Sequence, residues 1–346
     1  MAVLPSSAKM ETNQILLSDK PSINGLSFRN PYGEPDAGAL AAVHAGRAAR
    51  DDIDPLSTQE SLPTGEEIRV MLSQFAAAQQ LDRWLVAEVN GHVVGYGVIE
   101  SWHEEDGRWV YLILGWVLPE WRGRGIGTAM LHWGEHKARR LAAVEHPGEL
   151  FEFAGNASST EPEAAALLLH EGYSVRYTDL EMSLEPSELL PEYPLPPAID
   201  VRPALPEHIP LIAESIAESY RGEFPGNRFR STTVEAAGQA EWYSSPVHDL
   251  ALWQVAWDGD QVAGQVLPMI ERGRGIIDEV SVRPAWRRRG LARALLTHAL
   301  RDLQSRGVAV IRLFTGAEFP TRARDLYTSL GFRVVKEFPR YRKSSQ

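Results

Sequence analysis

The sequence contains no cysteine among its 346 residues. This absence excludes disulfide bonds, zinc sites built on thiolates and catalysis by a cysteine nucleophile. Long apolar runs are missing too: no stretch of about 18 apolar residues is available for a transmembrane helix. The N-terminal segment also lacks the apolar core of a secretory signal. These absences predict a protein without a membrane partner, and the cytoplasm is its default location.

Several ligand-binding patterns are also missing. Histidines and carboxylates do not recur at the spacing of metal ligands, so we expect no metal site. The glycine patterns of dinucleotide-binding folds and of phosphate loops in nucleotide hydrolases are absent. The net charge of −11 disfavours nucleic acid as a partner, because phosphate binding needs a basic surface.

What the sequence does contain is an internal repeat. Each half begins with a strand-like segment and a helix, and then has two apolar runs joined by Asn90-Gly91 or Asp258-Gly259, which are strong hairpin signals. A further strand, a glycine-rich stretch and a helix follow in each half. The repeat predicts two domains, over 22–184 and 200–346, joined by a proline-rich linker over 185–199.

The glycine-rich stretches are PEWRGRGIG (119–127) and PAWRRRGLA (284–292). A strand ends just before each one, and a helix begins just after it. Glycine permits a tight turn with close approach of a ligand to the backbone, and the first N–H groups of the helix are unpaired donors. A single copy fits equally well a glycine turn beside solvated arginines. Two copies in the same context favour an anion site suited to phosphate or pyrophosphate.

Two motifs in order carry a family resemblance. The spacing Val-x-Pro-x-x-Arg-x-x-Gly-x-Gly/Ala resembles the acyl-CoA motif of the GNAT N-acetyltransferase superfamily, and ARDLYTSLGF (323–332) resembles its second motif. The resemblance covers both halves, as in tandem GNAT enzymes. It implies an α/β fold with a mixed sheet flanked by helices, built as two tandem acyl-CoA N-acyltransferase domains. It also implies acetyl-CoA as the co-substrate.

The resemblance assigns cofactor contacts to the two motifs. Backbone N–H groups of each loop would bind the CoA pyrophosphate, and the strand before it would pair with the pantetheine arm. In the second half the residues implied are Val280, Val282, Arg287, Arg288, Arg289, Gly290, Leu291 and Ala292. In the first half they are Val117, Arg122, Gly123, Arg124, Gly125 and Gly127. Arg288 fits a solvated helix start equally well.

The catalytic residues implied lie only in the second half. Tyr327 occupies the position at which the family commonly has a tyrosine that protonates the leaving thiolate, whereas the first half has Leu168 there. Asp278 and Glu279 are candidate bases, and the first half has Ile113 and Leu114 instead. Because neighbouring strand residues alternate between faces, we expect only one carboxylate to face the site, and we favour Asp278.

We therefore expect the second half to transfer acetyl from acetyl-CoA to a primary amine of a small molecule. Since no acyl-enzyme nucleophile is evident, the amine would attack directly in a ternary complex. Two alternatives remain open. The chain could be a non-catalytic sensor that binds acyl-CoA, because the family's asparagine before the second motif is replaced by Pro320. Each half could also acetylate a substrate of its own.

Overall fold

The computed structural model describes residues 14–60, 62–104, 106–185, 190–221, 238, 240–317 and 322–345. These residues divide into two compact units. The first runs to His103 and continues over Gly107–Arg176 and from Phe338 onwards. The second comprises Glu104–Asp106 and Tyr177–Glu337. Pro320 lies outside the described residues, as do positions 186–189 of the predicted linker.

The first unit contains one mixed sheet and its helices. The sheet has the strand order β1-β2-β3-β4-β5-β6-β13. The strands are β1 (Gln14–Ile15), β2 (Leu26–Arg29), β3 (Trp84–Val89), β4 (His92–His103), β5 (Trp109–Val117), β6 (Phe151–Asn156) and β13 (Arg333–Ser344). The helices are α1 (Ala37–Arg47), α2 (Gly65–Ala77), α3 (Ile126–Glu145) and α4 (Pro162–His170).

The second unit repeats this plan, with the strand order β7-β12-β11-β10-β9-β8. Its strands are β7 (Ser174–Leu184), β8 (Asp200–Arg202), β9 (Gln254–Asp258), β10 (Gln261–Glu271), β11 (Arg274–Val282) and β12 (Ile311–Gly316). Its helices are α5 (Ile209–Tyr220), α6 (Leu291–Ser305) and α7 (Ala323–Ser329). Within the described ranges, no helix is both long and apolar enough to cross a membrane.

Each sheet is mixed for a local reason. The connection from β5 to β6 runs through α3, and the connection from β11 to β12 runs through α6. Both pairs are parallel, as crossover helices require, and the hairpin-linked neighbours are antiparallel. The predicted class, an α/β fold with mixed sheets in two repeats, is confirmed.

The turns of the two main hairpins differ slightly. Asn90 and Gly91 both have positive φ, as a two-residue type I′ turn requires. In the second hairpin Asp258 still pairs with Gln261, so its turn residues are Gly259 and Asp260 rather than the expected Asp258-Gly259. A positive φ of 61° at Gly259 explains why glycine occupies that position.

The closing strand of each half completes the sheet of the other unit. Residues 179–184 of β7 pair antiparallel with β12, and residues 340–344 of β13 pair antiparallel with β6. Both strands were expected from the sequence, but their partners were not. The units therefore differ from the predicted domains, since 177–184 belongs with the second unit and the residues from Phe338 belong with the first.

Apolar periodicity explains the helix that follows each loop. The six residues of α6 that recur at helical spacing are all at most 2% exposed: Leu291, Leu295, Leu296, Ala299, Leu300 and Leu303. The corresponding face of α3 is also buried but includes Glu135. That carboxylate accepts hydrogen bonds from Tyr173 Oη at 3.1 Å and from Lys343 Nζ of β13 at 2.7 Å. The exchanged strand thus supplies a cation to a buried carboxylate.

We expect Lys343→Met to lower the free energy of unfolding by about 2 kcal/mol, because Glu135 would lose its cation on β13 while staying buried. Urea denaturation measures this loss, with Arg333→Met as the control, since Arg333 is an exposed cation on the same strand. Equal stability of the two variants would show that the exchanged strand contributes no buried ion pair.

Candidate active site

The two glycine-rich loops share one backbone conformation. Each follows a short 3₁₀ turn, Pro119–Trp121 or Pro284–Trp286. Two residues of each loop then have a positive φ. These are Gly123 (68°) and Gly125 (84°) in the first unit, and Arg288 (62°) and Gly290 (84°) in the second. Left-handed residues separated by one position point successive N–H groups to the same side, which is the geometry of an anion-binding nest.

An arginine side chain fixes each loop to the end of its strand. Arg122 Nε donates to Val117 O at 2.9 Å, and Arg287 Nε donates to Val282 O at 2.8 Å. Arg287 Nη2 also donates to Ser219 O at the end of α5, at 2.6 Å. These side chains hold the loops in place, and the backbone N–H groups of Arg122 and Arg287 donate to Pro119 O and Pro284 O. Anion binding would therefore fall to the N–H groups that follow these arginines in each loop.

A cavity of about 940 Å³ opens beside the loop of the second unit. Most of the expected site residues line it: Asp278, Val280, Val282, Arg287, Arg288, Gly290, Leu291, Ala292 and Tyr327. Arg289 and Glu279 lie outside the lining. The cavity brings the strand edge, the loop, a phenol and a carboxylate into one place.

Sequence reasoning missed several lining residues, notably Tyr220, Arg293 and Arg322. Tyr220 ends α5, and no motif distinguishes it from other helix-terminal aromatics. Arg293 lies within the first turn of α6, one residue beyond the expected motif. Arg288 and Arg293 give the cavity positive charge suited to phosphates, whereas Arg322 pairs with Asp325, which also lines the cavity.

Tyr327 is almost fully buried, at 5% exposure, in the short helix α7. Burial, together with the nearby charge of Glu279, raises the pKa of Tyr327 well above its ordinary value. The phenol is therefore protonated throughout the neutral range. A protonated phenol lining the cavity can donate a proton to a leaving group.

Asp278 lies at an irregularity of β11. Glu279 pairs with Leu267 and Ile277 pairs with Pro268, so Asp278 is the extra residue of a β-bulge. Bulges redirect side chains near active sites. The Asp278 carboxylate lines the cavity, and partial removal from bulk water raises its pKa. Asp278 remains accessible from the cavity, and the raised pKa makes it a better proton acceptor than an aspartate of ordinary pKa.

Glu279 occupies a different environment and is only 5% exposed. Tyr220 Oη donates to Glu279 Oε1 at 2.9 Å, and the Ser281 hydroxyl donates to the same carboxylate. Burial raises the pKa of Glu279 to about 7, although both hydrogen bonds act in the opposite direction. The bulge separates the two candidate bases: Asp278 reaches the cavity, and Glu279 contacts the cavity-lining Tyr220.

The first unit has a smaller cavity of about 290 Å³ beside its loop. It is lined by the expected Val117, Arg122, Gly123, Gly125 and Gly127, but not by Arg124. Apolar Ile113, Leu114 and Leu168 stand where the second unit has its carboxylates and phenol. The first cavity therefore lacks the acid and base groups found in the second.

The loop of the first unit is also held and covered differently. Asp51, which is fully buried, pairs with both terminal nitrogens of Arg122 at 2.5 and 2.7 Å. A side chain added at Gly125 would lie 3.4 Å from ring atoms of Pro21. Glu161 and Glu163 line this cavity, where they pair with Arg47 and Arg50, whereas Arg288 and Arg293 line the second cavity.

The described residues contain no group of three or more histidines or carboxylates placed to hold a metal ion. Among the described residues of the second cavity, Tyr327 is suited to donate a proton and Asp278 to accept one. Tyr220 also lines the cavity and hydrogen-bonds to Glu279. This arrangement fits proton transfer around an acyl group held at the strand edge.

Comparison with known proteins agrees with this geometry. The Acetyltransferase (GNAT) family model matches residues 50–159 and 213–332, which is more than half of the chain. A mycothiol acetyltransferase of Nocardia farcinica is 29% identical over 304 residues, covering 86% of this chain and 90% of the relative. The tandem layout, similar to that of mycothiol synthase, is confirmed.

Solved structures show the same fold. A GCN5-related N-acetyltransferase from Sphaerobacter thermophilus superposes with a TM-score of 0.74 at 23% identity, covering 94% of this chain and 97% of that one. A tandem GNAT protein from the clavulanic acid biosynthesis pathway gives a TM-score of 0.63 at 15% identity, covering 93% and 99%. The chain belongs to the GNAT acetyltransferase family and is an acyltransferase with two GNAT regions in tandem.

Proposed function

We propose that the second unit transfers an acetyl group from acetyl-CoA to a primary amine of a small molecule. One observation carries this proposal: a single cavity brings together the anion-binding loop, the strand edge Val280–Val282, Tyr327 and Asp278. The family uses acetyl-CoA as co-substrate, and relatives named mycothiol acetyltransferase support a small-molecule acceptor. The cytoplasmic location expected from the sequence stays a prediction.

The cofactor would lie along the loop and the strand. Backbone N–H groups of Arg288–Ala292 would bind the pyrophosphate, since the Arg287 N–H already donates to Pro284 O, and the side chains of Arg288 and Arg293 would face the phosphates. Val280 and Val282 would pair with the pantetheine arm and hold the thioester carbonyl near a backbone N–H. That donor would stabilise the oxyanion of the tetrahedral intermediate.

The chemistry proposed is direct attack in a ternary complex. The amine nitrogen bonds to the thioester carbonyl carbon, and the C–S bond then breaks. Asp278 accepts a proton from the nitrogen, and Tyr327 donates its proton to the departing thiolate. The first unit lacks these groups, so we assign it no catalytic step, although its loop retains the backbone geometry for an anion.

We expect Tyr327→Phe to lower kcat about 10²-fold at pH 7 with little change in the KM for acetyl-CoA, because only the proton donor is lost. Thiol release with spermidine, glucosamine, tryptamine and glycine measures turnover. Tyr341→Phe, which alters a buried tyrosine of the first unit, is the matched control. An unchanged kcat in Tyr327→Phe would remove Tyr327 as the acid, and acetyl-CoA binding without turnover on any amine would favour a sensor.

We expect Gly290→Ala to raise the Kd for acetyl-CoA about tenfold, since a left-handed alanine costs roughly 1–2 kcal/mol and the loop would relax away from its binding conformation. Calorimetric titration measures this change. Gly307→Ala is the matched control because Gly307 has a φ of 79° and, like Gly290, open space around its missing side chain. Equal affinities of both variants would place the cofactor elsewhere.

A further inference from the structure

The reaction proposed above removes two protons from one nitrogen. A primary ammonium loses the first proton before attack, and the tetrahedral intermediate loses the second. Asp278 can hold only one proton at a time. Two further carboxylates are described in this part of the second unit: Asp325 lines the cavity but pairs with Arg322, and Glu279 is buried and takes no part in the mechanism so far described.

Tyr220 connects Glu279 to the cavity. Tyr220 lines the cavity, and its hydroxyl donates to Glu279 Oε1 at 2.9 Å. Tyr220 is therefore the residue that adjoins both the cavity and the buried carboxylate. A proton accepted by its phenol oxygen can be matched by the release of the phenol proton to Glu279.

A chain of buried polar groups points towards Glu279. Ser215 Oγ donates to Gln265 Oε1 at 3.1 Å, and Gln265 Nε2 donates to Ser281 Oγ. Since an amide nitrogen can only donate, the Ser281 hydroxyl proton is directed to the Glu279 carboxylate. Ser215 and Gln265 are fully buried. This polarity places a hydrogen-bond donor against Glu279, which favours the ionised form of its carboxylate.

The first unit shows that the fold does not require this series of hydrogen bonds. Strand pairing sets Tyr96 opposite Trp116, as it sets Gln265 opposite Ser281. His44 of α1 contacts Tyr96 Oη, in the place of the Ser215–Gln265 contact. Leu114 stands at the Glu279 position. The same scaffold is filled there by aromatic rings with no carboxylate.

We propose that Tyr220 is a catalytic residue that relays the first proton from the substrate ammonium to Glu279. Its Oη takes a proton from the nitrogen while its own proton passes to Glu279 Oε1, leaving a neutral amine and a protonated Glu279. After attack, Asp278 takes the second proton. One of these protons restores Tyr327, which has protonated the thiolate, and the other leaves to solvent.

The charge state of Glu279 gives this relay a pH dependence. The titratable groups that interact electrostatically with Glu279 are Asp278 on β11, Tyr220 at the end of α5, Tyr327 on α7, and Tyr243. The pKa of Glu279 is raised to about 7, chiefly by burial. The acceptor is therefore ionised above pH 7 and becomes protonated below it, so turnover falls as the pH drops through 7.

The relay rests on the proposed transferase activity, and pH profiles of kcat/KM test it with the most active amine of the panel. We expect Tyr220→Phe and Glu279→Gln each to lower kcat/KM about 10²-fold at pH 8, and the double variant to lose no more than either single. Glu279→Gln should also lose the fall near pH 7. Tyr243→Phe is the matched control, because Tyr243 neighbours the same carboxylates without lining the cavity.

Three results would overturn the relay while leaving the transferase in place. One is a Tyr220→Phe enzyme as active as Tyr243→Phe. Another is additive losses in the double variant, which would indicate two separate structural effects. The third is a fall near pH 7 that persists in Glu279→Gln. A wild-type chain that acetylates no amine would instead contradict the proposed function itself.

Discussion

The hydrogen bond from an arginine to the last carbonyl of a strand is the constraint on which both sites depend. Arg287 Nε holds Val282 O, and its Nη2 reaches Ser219 O, so strand, loop and α5 meet at one side chain. This side chain thus fixes the loop beside the cavity that Arg288, Gly290, Leu291 and Ala292 line. The same bond recurs between Arg122 and Val117 in the first unit.

The two units share this scaffold but differ in what surrounds it. In the second, arginines line the cavity, and the bulge at Asp278 places a carboxylate in the same cavity as Tyr327. In the first, Asp51 pairs with Arg122, two glutamates line the cavity, and Pro21 lies near Gly125. Duplication has thus kept the loop in both units, while the acid and base groups occur in one.

Local patterns predicted much of this structure because their causes are local. The hairpins, the left-handed glycines and the buried face of α6 each follow from a few adjacent residues. The exchange of β7 and β13 was not predictable, since a strand pattern does not specify which sheet edge it joins. The separation of Asp278 from Glu279 was expected from simple alternation, but the bulge that produces it, and the contact of Tyr220 with Glu279, depend on tertiary packing.

The central claim is that the second unit holds acetyl-CoA for transfer, and a crystal structure of the chain with acetyl-CoA tests it most directly. We expect the pyrophosphate on the N–H groups of 288–292, the pantetheine arm along Val280–Val282, and the sulfur next to Tyr327 Oη. Acetyl-CoA bound only in the cavity of the first unit, or with its sulfur remote from Tyr327 and Asp278, would contradict the account.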